Sequence, residues 1–207
     1  MSTSKRWYYL LFGTVVAAFA MSMINHSNLG TVMTTVLWDG MAKQMGITIG
    51  QASYITSVVM ILFLIFYDRR QIQLGTVVNF LLYGAAMDFF QWLLPDAQGL
   101  TARIVLAVVG IVILSIGIGI YAYANLGRGP YEGLGFALAE KNRWQLRYVR
   151  IALDFLFLFA GFMLGGAVGV STIISAVISG VIIQATTTLL DRINHLGLSE
   201  GTQRRGL

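Results

Sequence analysis

The chain has 207 residues, of which 57% are hydrophobic and 11% are charged, with a formal net charge of +5. A soluble domain typically carries about 25% charged residues, so this composition excludes an ordinary soluble globular protein. The chain contains no cysteine, which excludes disulfides, thiolate metal sites and a cysteine nucleophile. Its basic residues lie in short connections between apolar runs, which indicates topology determinants and not a nucleic-acid surface.

Six apolar runs approach the length of about 20 residues that a helix needs to cross a hydrocarbon core of about 30 Å. The first run follows Lys5 and Arg6, as in a signal peptide, but its length predicts a membrane span. We therefore predict an all-α polytopic membrane protein that forms one membrane domain, residues 1–207. The six predicted spans lie near Trp7–Ile24, Gln51–Tyr67, Thr76–Leu94, Ala102–Ala124, Tyr148–Gly165 and Gly169–Leu190.

The distribution of basic residues predicts the orientation of these spans. With six spans, all but Lys43 and Arg103 of the 14 basic residues fall on one side of the membrane. Connections rich in lysine and arginine face the cytoplasm. We therefore expect a protein of the bacterial cytoplasmic (inner) membrane whose N-terminus and C-terminus are both cytoplasmic, with residues 191–207 as a polar tail.

The two halves of the chain, about 7–94 and 102–190, repeat weakly in sequence. Matching positions are 97 or 96 residues apart, as in Gly13 and Gly110, Asn28 and Asn125, Gly30 and Gly127, Gly84 and Gly180, and residues 74–78 and 170–174. Each repeat holds three spans, an odd number, so the second copy enters the membrane from the opposite face. This is the inverted-repeat arrangement found in many secondary transporters.

In each repeat the first span ends at Asn-Leu-Gly, and the stretch that follows is too polar or too rich in glycine to span. The stretches are residues 30–46 and 127–144, and we call each stretch, together with the asparagine and leucine before it, a break. Non-helical backbone persists at membrane depth only where it is buried in protein or lines a wet cavity. Each break is therefore an interfacial helix or a re-entrant segment. Their symmetric positions favour re-entrant segments, and the interfacial alternative stays open.

The stretch Asn125-Leu-Gly-Arg-Gly-Pro-Tyr-Glu-Gly-Leu resembles the glycine-proline-acid loop of the YczE/YyaS/YitT-type family of small bacterial integral membrane proteins. The resemblance continues through Trp144-Gln-Leu-Arg-Tyr-Val-Arg and, in the first half, through Gly75-Thr-Val-Val-Asn. Members resemble small transporters but their function is largely unassigned, so the resemblance implies the fold more than the activity. Many members carry a proline and an acid in the first-half loop, where this chain has Met33 and Thr35. The two half-sites are therefore expected to be chemically unequal.

The two breaks are the predicted solute-binding segments. Glu132 follows Pro130 by two residues, which places it near the start of a short helix, where the helix dipole favours a carboxylate. Alternatively, Glu132 faces a cavity and binds a cation, a substrate amine or a coupling proton, because intramembrane ionisable groups tend to mark pathways. Arg128 can pair with Glu132, bind an anionic substrate or anchor the topology. The predicted substrate-binding residues are Asn28, Gly30, Thr31, Thr34, Thr35, Asn125, Gly127, Arg128, Gly129, Pro130, Tyr131 and Glu132.

Asp154, near the start of the fifth span, is the second acidic candidate. Arg150 and Arg147 precede it by four and seven residues, so the three side chains lie along one helical face. Such a stripe is either a salt-bridged structural feature or a coupling and gating element. We retain Asp154, Arg147 and Arg150 as coupling or gating candidates.

These features predict a secondary transporter that carries a small polar solute by alternating access through a midplane site between the repeats. The sequence shows no metal-ligand spacing, phosphate-binding loop or nucleophile elbow, so we expect no enzyme, cofactor or metal. The expected partners are the lipid bilayer and the solute, and no nucleic acid. A coupling proton or cation and a homodimer stay open. The alternatives are a non-transporting membrane regulator or sensor partner, and the substrate-binding subunit of a larger importer.

Overall fold

The computed structural model describes the backbone of residues 3–127 and 129–203, and the side chains of that part as far as residue 193. The described part of the chain is all-helical, with eight α-helices, one short 3-10 turn at Arg69–Gln71 and no strand. The helices are α1 Thr3–His26, α2 Met33–Met45, α3 Ile49–Tyr67, α4 Leu74–Leu93, α5 Leu100–Tyr123, α6 Pro130–Asn142, α7 Leu146–Met163 and α8 Val170–Gln203.

Each predicted span coincides with a helix, namely α1, α3, α4, α5, α7 and α8. Among the described residues, four helices are long and apolar enough to cross a membrane, at Thr3–His26, Ile49–Tyr67, Leu100–Tyr123 and Val170–Ile193. The all-helical class and a membrane protein with apolar helices are thus confirmed. α4 and α7 match in position, but their crossing of the membrane stays a prediction. α8 continues to Gln203, so the predicted polar tail begins as a helix.

α1 and α5 form the centre of the bundle because small residues let their backbones approach closely. A Cβ on Gly13 would lie 2.8 Å from the carbonyl oxygen of Gly117, and a Cβ on Gly110 would lie 3.2 Å from that of Ala20. Small residues at such crossings are the usual means of packing helices in membranes. The buried residues around this crossing include Ala17, Ala18, Met21, Ile24, Ile111 and Leu114. α4 then packs on α1, and α8 packs on α5.

Both Asn-Leu-Gly breaks end a helix through left-handed backbone. Asn28 and Asn125 have φ values of 53° and 49°, and the glycines two residues later, Gly30 and Gly127, have φ values of 92° and 133°. Asparagine and glycine adopt this region at the lowest cost, so the sequence pattern itself stops α1 and α5. The chain then turns into the short helices α2 and α6.

The two breaks also make matching hydrogen bonds with the helices that close each half. The N–H of Ser171, at the start of α8, donates to the carbonyl oxygen of Leu29 over 3.1 Å, and the N–H of Gly75, at the start of α4, donates to that of Leu126 over 3.1 Å. The first N–H groups of a helix have no partner within it, so each break supplies one. The accepting residues are 97 apart and the donating residues are 96 apart in the sequence.

α3 and α4 pack tightly against each other. The ring of Tyr54 lies directly against Gly84, where any Cβ would overlap it. Asp88 accepts hydrogen bonds from the N–H of Gly50 over 2.8 Å and from the Thr48 hydroxyl over 2.6 Å. Its carboxylate therefore joins the end of α4 to the start of α3. A half-buried carboxylate needs hydrogen-bond donors, and these two groups supply them.

The equivalent helices of the second half, α7 and α8, have no comparable packing within the described residues. Gly180 lies 96 residues after Gly84, and a Cβ on Gly180 would meet nothing within 4 Å. Gln184, which corresponds to Asp88, is exposed. The two halves thus share their central contacts and differ in how extensively their last two long helices pack on each other.

Candidate functional site

A cavity of about 500 Å³ lies in the second half, between α5, α6, α7 and α8. α7 and α8, which do not pack extensively on each other, contribute Arg150 and Ile183 to it, and the connection between α3 and α4 forms its edge. Of the predicted site residues, Asn125, Gly127, Glu132 and Arg150 line it. The cavity thus brings together part of the second break and one of the three gating candidates.

Glu132 has the position that both sequence interpretations require, at a helix start and on the wall of the cavity. α6 begins with Pro130 directly after Gly129, and Glu132 lies in the first turn, where the free N–H groups and the helix dipole favour a carboxylate. Its Oε1 accepts a hydrogen bond from the Tyr121 hydroxyl over 2.9 Å. Its Oε2 lies against Gly129, where a Cβ would overlap it. The carboxylate therefore lies in the first turn of the helix and forms part of the cavity wall.

Arg150 reaches the same cavity from α7. Its stem passes Gly135, and its guanidinium carbon lies 5.9 Å from the centre of the Tyr131 ring. Within the described residues, Arg150 makes no hydrogen bond and no ion pair, so its charged nitrogens lie more than 4.0 Å from any carboxylate oxygen. A guanidinium has five N–H donors, and a half-buried one without partners is met by water or by a ligand.

Asp154 is bound to the second break and not to an arginine. The Tyr131 hydroxyl donates a hydrogen bond to Asp154 Oδ1, and the Tyr131 ring packs on Phe157 with centroids 5.6 Å apart. Arg147 is exposed, with its guanidinium carbon 5.6 Å from the centre of the Tyr148 ring. The predicted stripe is therefore divided: Asp154 contacts α6, Arg150 lines the cavity, and Arg147 lies outside it.

The threonines of the first break are engaged in contacts within the bundle. The Thr31 hydroxyl donates to Asn25 Oδ1 over 2.7 Å, and the Thr31 carbonyl accepts from the Thr172 hydroxyl over 2.6 Å. The buried Thr35 hydroxyl lies 3.3 Å from the sulfur of Met21. None of these groups lines the described cavity, so in this conformation the first break serves packing.

The remaining predicted residues of the first break also lie away from the cavity. Thr34 is half-buried, and Gly30 packs against the backbone at the start of α8. The Asn28 side chain lies 3.4 Å from Asp96, whose Oδ1 is 2.8 Å from His26 Nδ1. The hydrogen bond with His26 lowers the pKa of Asp96, which lies in the connection between α4 and α5. These contacts join the end of α1 to that connection.

Arg128, a predicted binding residue, lies outside the described residues. Several lining residues were not predicted from the sequence. Tyr121 lies one helical turn before Asn125, so the helical spacing of α5 could have indicated it. Gln71 and Gln73 come from the connection between α3 and α4, and Gln71 Nε2 donates to Glu140 Oε2 over 3.2 Å. No local pattern in the sequence relates that connection to the second break.

Comparisons with known proteins extend the resemblance over most of the chain. DUF6198, described as a family of unknown function, matches residues 4–188. The uncharacterized membrane protein YczE of Bacillus subtilis (strain 168) is 31% identical over 180 residues, which cover 86% of this chain and 84% of YczE. The uncharacterized protein YyaS of the same organism is 20% identical over 191 residues, covering 90% and 94% of the two chains.

A further relative is an uncharacterized protein of Haemophilus influenzae, 28% identical over 187 residues that cover 90% of this chain and 85% of the relative. No solved structure shows a significant match. The resemblance to a YczE/YyaS-type family is thus confirmed, and it covers most of each chain.

Proposed function

We propose that this chain, which belongs to the family of unknown function DUF6198 and is similar to the membrane protein YczE, is a secondary transporter of a small polar solute. Transport proceeds by alternating access, and the cavity beside Glu132 and Arg150 is the solute site in one of the two conformations. No enzymatic step is part of the proposal.

The proposed architecture is two inverted repeats of three spans, α1, α3 and α4 followed by α5, α7 and α8. The matching contacts of the halves support it. Gly161 of α7 lies against Val36 of α2, and at the corresponding positions Leu64 of α3 lies against Gly133 of α6. The hydrogen bonds from Ser171 and Gly75 to the two breaks follow the same correspondence. These contacts join corresponding helices of the two halves, so they support the repeat even though the two halves repeat only weakly in sequence.

α2 and α6 are proposed as re-entrant segments. Both are 13 residues long, too short to cross a hydrocarbon core of about 30 Å at 1.5 Å per residue. Each has residues buried against other helices, such as Val36 and Gly40 in α2 and Gly133 and Ala137 in α6. Burial within the protein is the condition under which broken backbone is stable at membrane depth.

The observation that carries the proposal is the difference between the halves. α3 and α4 are in contact through Gly84 and Asp88, while the equivalent α7 and α8, which do not pack extensively on each other, both line the cavity. Inverted-repeat carriers alternate by rocking one repeat against the other around a fixed site. The opposite conformation would have α7 packed on α8 and α3 apart from α4, which exposes the site to the other face of the membrane.

The basic connections support a cytoplasmic opening for the observed cavity. Arg70, at its edge, belongs to the connection between α3 and α4. Such connections face the cytoplasm, which also places both termini on that side of the inner membrane. The pair of Tyr131 and Asp154, next to the cavity-lining Arg150, is the proposed site for a coupling proton or cation.

The test is uptake by the purified full-length chain in proteoliposomes. Labelled alanine, choline and succinate represent zwitterionic, cationic and anionic solutes. We expect uptake of one class, lost in Glu132→Gln and kept in Asp191→Asn, which changes an exposed carboxylate at the end of α8. Full uptake by folded Glu132→Gln would contradict the site. Binding without uptake would favour the importer subunit, and neither binding nor uptake would favour the regulator.

A further inference from the structure

Of the four described charged side chains that line the cavity, Arg70 and Glu140 are exposed, while Glu132 and Arg150 are half-buried and do not contact each other. Glu132 lies on α6 and Arg150 on α7, and both line the space of about 500 Å³. Their charged atoms are more than 4.0 Å apart, since no ion pair joins them. Two charges that served only to neutralise each other in a half-buried place would be expected in direct contact, because separation forfeits the hydrogen bonds that offset desolvation. The space between them is open for a third component.

The Arg150 guanidinium has its hydrogen-bonding capacity free within the described chain. Asp154, the acid one turn further along α7, is already bonded to the Tyr131 hydroxyl. The neighbouring Tyr131 ring, whose centre lies 5.9 Å from the guanidinium carbon, presents a face and no acceptor. A planar guanidinium with free N–H groups matches a carboxylate through two parallel hydrogen bonds. Arg150 is therefore suited to bind a solute carboxylate.

The Glu132 carboxylate is held in position but not saturated. It has about four acceptor sites and receives one hydrogen bond in the described residues, from Tyr121. That bond and the contact of Oε2 with Gly129 restrict the rotation of the side chain. A fixed carboxylate with free lone pairs beside an aromatic ring is suited to bind an ammonium group.

The cavity wall is mixed, and apolar residues of the long helices form part of it. Ile118 and Ala122 from α5 and Ile183 from α8 line it. A volume of about 500 Å³ lies in the range of small-molecule sites. A solute with one negative charge would bind Arg150 but would be repelled by Glu132, and a solute with one positive charge would meet the reverse. A molecule that carries both charges on a short apolar stem satisfies both side chains.

We infer that the transported solute is a small zwitterion of the amino-acid or betaine type, with its carboxylate on Arg150 and its cationic group on Glu132. The inference rests on the proposed function in that it takes this cavity as the solute site. Alanine, γ-aminobutyrate and glycine betaine differ in the distance between their charges, and these three molecules are therefore the probes.

The test is isothermal titration of the full-length protein in detergent, without any gradient. Each zwitterion is compared with analogues that keep one charge: ethylamine and propionate for alanine, propylamine and butyrate for γ-aminobutyrate, and choline for glycine betaine. We expect one zwitterion to bind at least tenfold more tightly than its analogues, because each analogue leaves one charged side chain unpaired. Equal affinity of an amine or an acid, or no binding of any of the three zwitterions at millimolar concentration, would overturn the inference.

The variants assign the two ends of the zwitterion. Glu132→Gln and Arg150→Gln should each weaken its binding at least tenfold, while Asp191→Asn and Arg192→Gln, which change exposed charges on α8, should leave the affinity unchanged. Arg150→Lys keeps the charge but loses the planar fork, so we expect an intermediate affinity; this variant also serves if Arg150→Gln fails to fold. Unchanged affinity in Glu132→Gln and Arg150→Lys would overturn the inference.

The titration and the uptake experiment can fail independently. Zwitterion binding without uptake would keep the inference and contradict the transporter. Uptake of choline or succinate in place of a zwitterion would keep the transporter and overturn the inference.

Discussion

Gly30 shows how a single residue determines the path of the first break. Its φ of 92° lies in the left-handed region, and a Cβ there would overlap the backbone nitrogen of Gly169. The left-handed φ and the close contact with Gly169 also affect the start of α8, because the neighbouring Leu29 carbonyl accepts the hydrogen bond from Ser171. A side chain at residue 30 would therefore separate the break from the start of α8.

Gly30→Ala should lower the thermal stability of the purified protein far more than Gly46→Ala. Gly46 also has a left-handed φ, of 66°, but a Cβ there meets nothing within 4 Å, so its substitution costs only the backbone strain of about 1 kcal/mol. Gly30→Ala adds a clash with backbone atoms that cannot rotate away. Melting curves of both variants in one detergent provide the comparison. Equal shifts would show that the contact with Gly169 has no energetic importance.

At the scale of helices, the Asp88 carboxylate maintains the contact between α3 and α4. It accepts from the N–H of Gly50 and from the Thr48 hydroxyl, and so supplies partners to the exposed start of α3. Gln184, the corresponding residue of the second half, is exposed on α8 and has no such partner helix within the described residues. The same position therefore closes one helix pair and leaves the other apart.

Asp88→Ala should destabilise the protein by about 1–3 kcal/mol, the usual cost of leaving donors without an acceptor. Gln184→Ala, its matched control, should be nearly neutral in the same thermal unfolding measurement. Asp88→Asn keeps one acceptor oxygen and should fall between wild type and Asp88→Ala. A neutral Asp88→Ala would show that the α3–α4 contact depends on the apolar residues and not on this carboxylate.

The helices could be located from the sequence because an apolar run of about 20 residues forms a helix in a bilayer. The ends of α1 and α5 were also predictable, since Asn28 and Asn125 favour left-handed backbone. The packing of α3 on α4 was not, because it depends on Gly84 meeting Tyr54 across 30 residues of chain. Nothing in the local sequence distinguishes that helix pair from α7 and α8.

The candidate site was predicted only in part, because some of its residues have a local sequence signal and others are brought together only by tertiary packing. Glu132 could be identified because Pro130 marks a helix start two residues before it. Arg150 was recognised as a charged residue in a span, but its distance from Asp154 and its position on the cavity wall depend on how α6 packs on α7. Tyr121 and Gln71 reach the cavity from elements whose meeting is a tertiary event.

At the scale of the whole molecule, alternating access requires two conformations, of which the structure is one. The central α1–α5 contact joins corresponding positions, Gly13 with Gly117 and Gly110 with Ala20, so it can stay in place while the outer helices move. α3 with α4, and α7 with α8, are then alternative closures of two faces of one site. A carrier requires that at least one of the two helix pairs is closed at any time, because a site open to both faces would be a channel.

The absence of cysteine in the chain makes this claim directly measurable with spin labels. One double variant carries labels at Ile55 and Phe89 on α3 and α4, and the other carries labels at the corresponding Ala152 and Ala185 on α7 and α8. All four residues are exposed. The distances between the two labels are measured by double electron–electron resonance in nanodiscs, without solute and with the solute that the uptake assay identifies.

Alternating access predicts two distances for each pair of labels, with the α3–α4 distance short when the α7–α8 distance is long. Adding solute should change the fraction of molecules with the short distance by the same amount in both pairs, but in opposite directions, since one equilibrium governs both. A single unchanged distance in each pair, under conditions in which uptake occurs, would contradict alternating access between the two halves.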